Sequence, residues 1–487
     1  MRKWSLLAPV GLASLAVLLL LGVGRGSQQL VSATHDGPAW QMRVLTPTLY
    51  LPVVEREYDA EYVSPFGVAM YGDITDTTGL QVMKEAGSKW AVTALQWSTI
   101  EFTRGVVYWA DFDAKVQNAQ AAGMNVFVLF MGNPAWAAAL PGGPVTNTLD
   151  LVSFVVQAAE RYDCDGVDDA PGSPCVDYWS FYAEPDNGDL DRARIGWGYW
   201  GHNGAGYAAM LSQVSPAVHN ANPRAKVLIG GVAYDWFEQD TPVPGPFVRS
   251  FLTDTLAALN RYPGGAHKYI DAVAFHFYPI SSDRWATIRE KALEVLGIME
   301  RHGVDDLPFL CPEMGYWSSP KFGSSEQRQA QWLVQQYVRG ISLRLRFLAW
   351  LPVYDIAEAG SAEDLYPDRT AGLFRLDRVT PKPAYDAYST MARELAWARY
   401  VKPLQVTGSE GYVFRMPGGR EKTVFWATGS TANVPFPYTC LRRVDMGGTV
   451  NEPINDGDLV WDQDRTVNSQ IVLRATQDTP LYVEPCH

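Results

Sequence analysis

Between residues 66 and 351, eight short apolar runs alternate with segments of helical spacing, and this alternation constrains the fold more than any other feature. The strand-like runs are Phe66–Tyr71, Trp90–Trp97, Asn125–Met131, Val176–Tyr182, Lys226–Val232, Ile270–Phe277, Pro308–Pro312 and Leu345–Leu351. Helical spacing marks Gly79–Ser88, Phe112–Ala122, Asp150–Tyr162, Tyr207–Asn220, Phe247–Asn260, Trp285–His302 and Ser325–Leu343. Parallel strands need long crossovers, and helices are the usual ones, so a closed barrel and a doubly wound sheet share this order. Eight units over about 330 residues fit the (β/α)8 TIM barrel with inserted loops, here assigned to 61–395.

The pattern changes after Ala392. Tyr412–Met416, Thr423–Ala427, Gln470–Ala475 and Leu481–Glu484 read as short strands between Gly- and Pro-rich turns, and helical spacing disappears. Residues 396–487 are therefore expected to form a small all-β, sandwich-like domain. At the other end, Arg2 and Lys3 precede an apolar run from Trp4 to Val23, and Val31-Ser32-Ala33 offers a small-residue cleavage site. That is the layout of an export signal over 1–33, although the run is long enough to serve as an uncleaved membrane anchor. Residues 34–60 read as a linker or strap.

Cysteine usage fits export. Cys164 and Cys175 flank a short Asp/Gly/Pro loop and look like a local disulfide, Cys440 and Cys486 are placed to tie the C-terminal region, and Cys311 reads as a buried free thiol. No spacing resembles a zinc site. Asp163, Asp165, Asp168 and Asp169 lack the spacing and terminal Glu of a calcium loop and read as an acidic surface loop, so neither metal nor cofactor is called for. The net charge of −13 is spread without a basic stripe, which argues against a nucleic-acid partner.

In such a barrel the reactive groups sit at the C-terminal strand ends. The fourth strand runs into Ala183-Glu184-Pro185-Asp186-Asn187, and the seventh runs into Pro312-Glu313-Met314-Gly315. Two carboxylates at facing strand ends suit glycosidic cleavage, which needs one protonated and one ionised carboxyl. Glu184-Pro185 and Pro312-Glu313 resemble the fourth- and seventh-strand signatures of the clan A retaining glycoside hydrolases, the cellulase and β-xylosidase group. Trp97-Ser98-Thr99-Ile100-Glu101 through Arg104-Gly105 is similar to the clan's second-strand segment, and Gly132-Asn133-Pro134-Ala135-Trp136-Ala137 to its third-strand turn. Ala221-Asn222-Pro223, Ile270-Asp271-Ala272-Val273 and Thr380-Pro381-Lys382-Pro383-Ala384-Tyr385 also fit, so the likeness runs in order through most of 61–395.

The resemblance implies Glu184 as general acid/base and Glu313 as nucleophile. It implies that Tyr278 steadies the nucleophile, that His276 lines the sugar subsite, and that Trp350 and Trp136 offer aromatic faces to sugar. Two positions depart from the pattern. The clan places Asn before the acid/base, where it bonds the sugar 2-hydroxyl, and this chain has Ala183; it places Arg early in the second strand, and this chain has Val92. Asn187 and Asn133 are the nearby candidates to replace the lost amide. The expectation is an exported retaining glycosidase, acting as a monomer on a poly- or oligosaccharide. The alternatives are a catalytically impaired carbohydrate-binding barrel at the cell surface, and a glycan-processing protein held by its N-terminal segment.

Overall fold

The computed structural model describes residues 63–279 and 284–486. The segments read as export signal or anchor (1–33) and as strap (34–60) lie outside the described residues. No helix among the described residues is long and apolar enough to cross a membrane.

Eight parallel strands close into a barrel in chain order: β1 (Phe66–Ala69), β2 (Trp90–Gln96), β3 (Asn125–Met131), β4 (Tyr178–Phe181), β5 (Lys226–Val232), β6 (Ala272–Phe277), β7 (Phe309–Met314) and β8 (Leu348–Trp350). Each is buried nearly throughout, as expected of strands covered on both faces. The crossovers carry α1 (Leu80–Glu85), the short α2 (Trp97–Ile100), α3 (Ala110–Ala121), α4 (Thr148–Arg161), the short α5 (Leu190–Arg194), α6 (Gly204–Ala221), α7 (Phe251–Leu259), α8 (Ile288–Arg301) and α9 (Glu326–Ser342). After β8 the chain closes the ring with α10 (Pro383–Leu395). Local sequence sets the helix starts. Asn147 accepts from the Leu149 amide at α4, and Thr287 and Glu290 form a reciprocal capping box at α8.

The two barrel ends differ in chemistry. At the N-terminal end, Trp90 stacks on Phe347 with ring centres 4.6 Å apart and meets Tyr178 edge-on at 5.2 Å, while Phe127 meets Phe347 at 5.4 Å. Because β2 and β8 are not neighbours, these rings meet across the interior and plug it. The C-terminal end carries the polar strand ends.

The C-terminal domain has a six-stranded antiparallel sheet in the order β14-β13-β16-β11-β10-β9 and a two-stranded sheet, β12 with β15. Its strands are β9 (Arg399–Pro403), β10 (Ser409–Arg415), β11 (Glu421–Ala427), β12 (Thr431–Phe436), β13 (Cys440–Asp445), β14 (Val450–Asn455), β15 (Ile471–Thr476) and β16 (Leu481–Pro485). Phe425, Val434, Phe436, Leu441, Ile471 and Leu473 fill a separate core between the two sheets. Polar contacts fix this domain to the barrel. Arg339 of α9 forks onto Glu410 at 2.7 and 2.6 Å, and Glu394 of α10 takes Lys422 and Arg442 into a buried cluster with Glu484. Cys164–Cys175 and Cys440–Cys486 are disulfides, and Cys311 is a buried free thiol.

Candidate active site

Beyond Phe181 the chain leaves β4 in a sharp kink, with Tyr182 at φ +62° and Glu184 at φ +47°, left-handed conformations that cost a residue with a β-carbon. The kink is held by neighbours that only glycine permits. A β-carbon on Gly230 would fall 2.0 Å from the Tyr182 carbonyl oxygen, and one on Gly231 would fall 2.2 Å from Nε2 of His276. The Glu184 amide then donates to the Gly231 carbonyl at 3.2 Å, which turns the Glu184 side chain into the barrel mouth.

Glu313 lies within β7, in register with His276 of β6. A carboxylate oxygen of Glu184, one of Glu313 and a ring nitrogen of His276 all lie within 4.8 Å of one another, and all three residues are buried. Both oxygens of Glu313 accept from phenols: Tyr278 donates to Oε1 at 2.8 Å and Tyr71 donates to Oε2. Both oxygens of Glu184 are engaged as well, Oε1 by His276 Nδ1 at 3.2 Å and Oε2 by the Arg192 guanidinium.

The charges around this pair follow from burial and pairing. Burial pushes the Glu184 carboxyl up, but the Arg192 guanidinium, the hydrogen bond and charge of His276, and the Lys291 ammonium outweigh it and hold Glu184 below the usual glutamate range. Burial pulls the His276 imidazole down, yet the charges of Glu313, Glu184 and Asp186 leave it raised. Burial, followed by the Glu313 charge, drives both phenols well above their ordinary value, so Tyr71 and Tyr278 remain O–H donors. Asp186 is pushed up to about 6 by burial, although the Ala233 and Tyr234 amides donate to it.

The other sequence-derived candidates fall in different places. Asn187 is fully buried, and its amide is spent on the Asp189 and Gly198 carbonyls at 3.0 and 2.8 Å. Asn133 donates to the Gly143 carbonyl at 2.7 Å and accepts from the Tyr182 phenol at 2.9 Å. Both N–H groups of the Asn187 amide are thus taken, and the Asn133 amide is held by Gly143 and Tyr182. Trp350 is wholly buried, with its indole N–H on the Ala371 carbonyl at 3.0 Å, and serves as core. Trp136 is partly exposed, packed edge-on against Trp97, with Arg104 over its ring. Val92 is buried in β2, and Tyr71, two residues past the end of the neighbouring β1, supplies a donor to Glu313 that Val92 cannot. Tyr71 closes a strand-like run and is polar at a strand end, a signal that could have found it. Arg192 reaches in from a short helix eight residues past Glu184, and no periodicity marks it.

Asp163, Asp165 and Asp169 bring carboxylate oxygens within 4.8 Å of one another in the disulfide loop. These oxygens accept from the loop's own amides at Asp165, Gly166 and Val167.

The barrel with its appended β domain superposes on solved structures of low sequence identity. A family 39 glycoside hydrolase from the gut symbiont Bacteroides cellulosilyticus WH2 matches at TM-score 0.61 and 17% identity, covering 87% of this chain and 81% of that one. The fold, a closed eight-stranded barrel followed by a β domain, is one that solved glycoside hydrolases of families 39 and 30 share. A glucosidase from Croceicoccus marinus matches at 0.60 and 15%, over 88% and 96%. A GH30 endoxylanase from Clostridium papyrosolvens C71 matches at 0.57 and 10%, over 88% and 97%. No sequence-family description and no curated protein matches the chain.

Proposed function

We propose that the protein is an exported glycoside hydrolase working by retaining double displacement, with Glu184 as acid/base and Glu313 as nucleophile. The observation that carries this reading is the approach of the two carboxylates, with an oxygen of each within 4.8 Å. Retaining enzymes hold their carboxyls about 5–5.5 Å apart, whereas inverting ones leave about 6.5–9.5 Å for a water. The glycoside hydrolases that share the fold support the same chemistry, and two disulfides fit an exported protein.

In the first step Glu313 forms a bond to the anomeric carbon. The glycosidic C–O bond breaks with its electron pair going to the leaving oxygen, and Glu184 gives that oxygen a proton. A water then attacks the anomeric carbon, yields a proton to Glu184 and frees Glu313. Tyr71 and Tyr278 hold the nucleophile's oxygens in place throughout.

Purified wild type, Glu184→Gln and Glu313→Gln should be assayed on a panel of aryl β-glycosides, with the anomer of the first product read by proton NMR. Turnover with retained configuration, reduced at least about 100-fold in Glu313→Gln, is expected. Equal inertness of all three proteins on every glycoside overturns the assignment. The spent amide of Asn187, together with Ala183, favours a second reading, a barrel that binds sugar without cleaving it. Calorimetric sugar binding without turnover selects that reading.

A further inference from the structure

Arg192 contacts one of the two reacting carboxyls and is absent from the two-carboxylate scheme. It lies on α5 and pairs with Oε2 of Glu184, with side-chain exposures of 13% and 8%. The guanidinium is held between two aromatic faces, 5.0 Å from the Trp197 ring centre and 5.0 Å from that of Phe247. The loop beneath it is packed too closely to retreat. The Gly198 amide donates to the Ala183 carbonyl at 2.7 Å, and a β-carbon on Gly198 would fall 2.7 Å from Cα of Pro185.

We propose that Arg192 is a clasp on Glu184, holding it as a carboxylate in the resting site and releasing Oε2, so that Glu184 takes up a proton from solvent before it protonates a leaving oxygen. The geometry opposes a proton on Oε2. His276 Nδ1 occupies Oε1 and Arg192 occupies Oε2, and a guanidinium has only donors, so a proton on Oε2 would face N–H groups. With the loop anchored, release is a swing of the Arg192 side chain. Arg192 is thus a positioning residue that acts through Glu184.

Among the described residues, the other groups around Glu184 act on it without pairing with Oε2. Glu313 on β7 and Asp186 on the same loop are acidic and oppose a charge on Glu184. Tyr71 and Tyr278 are turned to Glu313. Lys291 on α8 is nearest Asp235, at 3.6 Å. His276 approaches the other oxygen.

The consequence for catalysis rests on the glycosidase reading, but the clasp itself does not. Leaving groups that depart unaided should ignore Arg192, and those that need a proton should feel it. The test compares wild type, Arg192→Met and Arg192→Lys on phenyl and 2,4-dinitrophenyl β-D-xylosides and β-D-glucosides across pH. Alongside, the Glu184 carboxyl is titrated by carbon-13 NMR, assigned by its loss in Glu184→Gln. In Arg192→Met the carboxyl midpoint should rise by about 1–3 pH units, the range for loss of an adjacent opposite charge. The alkaline limb of kcat/KM on phenyl glycosides should rise with it, the dinitrophenyl profiles should keep their wild-type form, and Arg192→Lys should restore the low midpoint. An unmoved midpoint in Arg192→Met overturns the clasp, as does an equal response of the two leaving groups. If wild type cleaves none of the four glycosides, the glycosidase reading fails while the carboxyl titration still decides the clasp.

Discussion

Tyr71 and Tyr278 divide the oxygens of Glu313 between them, and each phenol stays protonated because burial and the neighbouring carboxylate make ionisation costly. Hydrogen bonds to a charged group contribute about 1.5–3 kcal/mol, so Tyr71→Phe and Tyr278→Phe should each lower kcat/KM by about 10- to 150-fold. Steady-state kinetics beside an unchanged melting temperature would separate this from misfolding. The sequence shows Glu184, Glu313, His276 and Tyr278 because each follows an apolar run at a strand end. It hides Arg192, whose approach depends on a loop anchored through Gly198. It also misleads at Trp350 and Asn187, where a residue type suited to sugar is consumed by backbone carbonyls. A letter reports what a side chain can bond, and the fold decides whether that bond is already made.

At the scale of elements, β5 matters more to the site than its plain sequence suggests. Its Gly230-Gly231 pair leaves the space into which the Tyr182 carbonyl and the His276 ring fit. Gly231→Ala should displace His276 and lower turnover, and Gly230→Ala should strain the Glu184 kink and lower the melting temperature. Calorimetry and kinetics on the two single variants check both outcomes, and wild-type behaviour of both would refute this role for β5. The barrel strands were readable because strands buried on both faces form nearly continuous apolar runs. Four strands of the C-terminal domain were not. β9 and β14 are sheet edges carrying Pro403 and Pro453, and β12 alternates exposed and buried residues and includes Pro435. Proline and solvent-facing polar residues dilute the strand signal at such positions. β13 mixes a cysteine and two arginines, one of which, Arg442, serves the junction with the barrel.

At the scale of the whole molecule, that junction makes the fold sensitive to acid. Burial pushes Glu394 up, but hydrogen bonds and charges from Arg442 and Lys422 prevail and bring it down to about 2, from about 4.5 in a free chain. A carboxyl lowered in the folded state contributes stability that is complete above about pH 4.5 and fades as pH falls towards 2, where the unfolded chain binds more protons. Glu394→Gln leaves Lys422 with Glu484, and Arg442 with Glu484 and, at 3.7 Å, Glu452, and should cost about 3–5 kcal/mol near neutral pH. Its deficit relative to wild type should shrink below about pH 4, as melting curves across pH would show. A deficit that does not change with pH would remove the charge of Glu394 from the account. No feature of the sequence announces this cluster, because Lys422, Arg442 and Glu484 come from three separate strands of the β domain and Glu394 joins them from α10 of the barrel.

Cys311 lies two residues before Glu313 on the same strand, with its thiol donating to the Glu313 carbonyl at 3.4 Å. Burial raises the thiol far above the range in which it reacts, and the other four cysteines are locked in disulfides. The native protein should therefore be silent to thiol reagents and should answer only when the nucleophile-bearing strand opens. A timed pulse of a maleimide under non-reducing conditions would turn this one sulfur into a stopwatch for the barrel, without adding any probe.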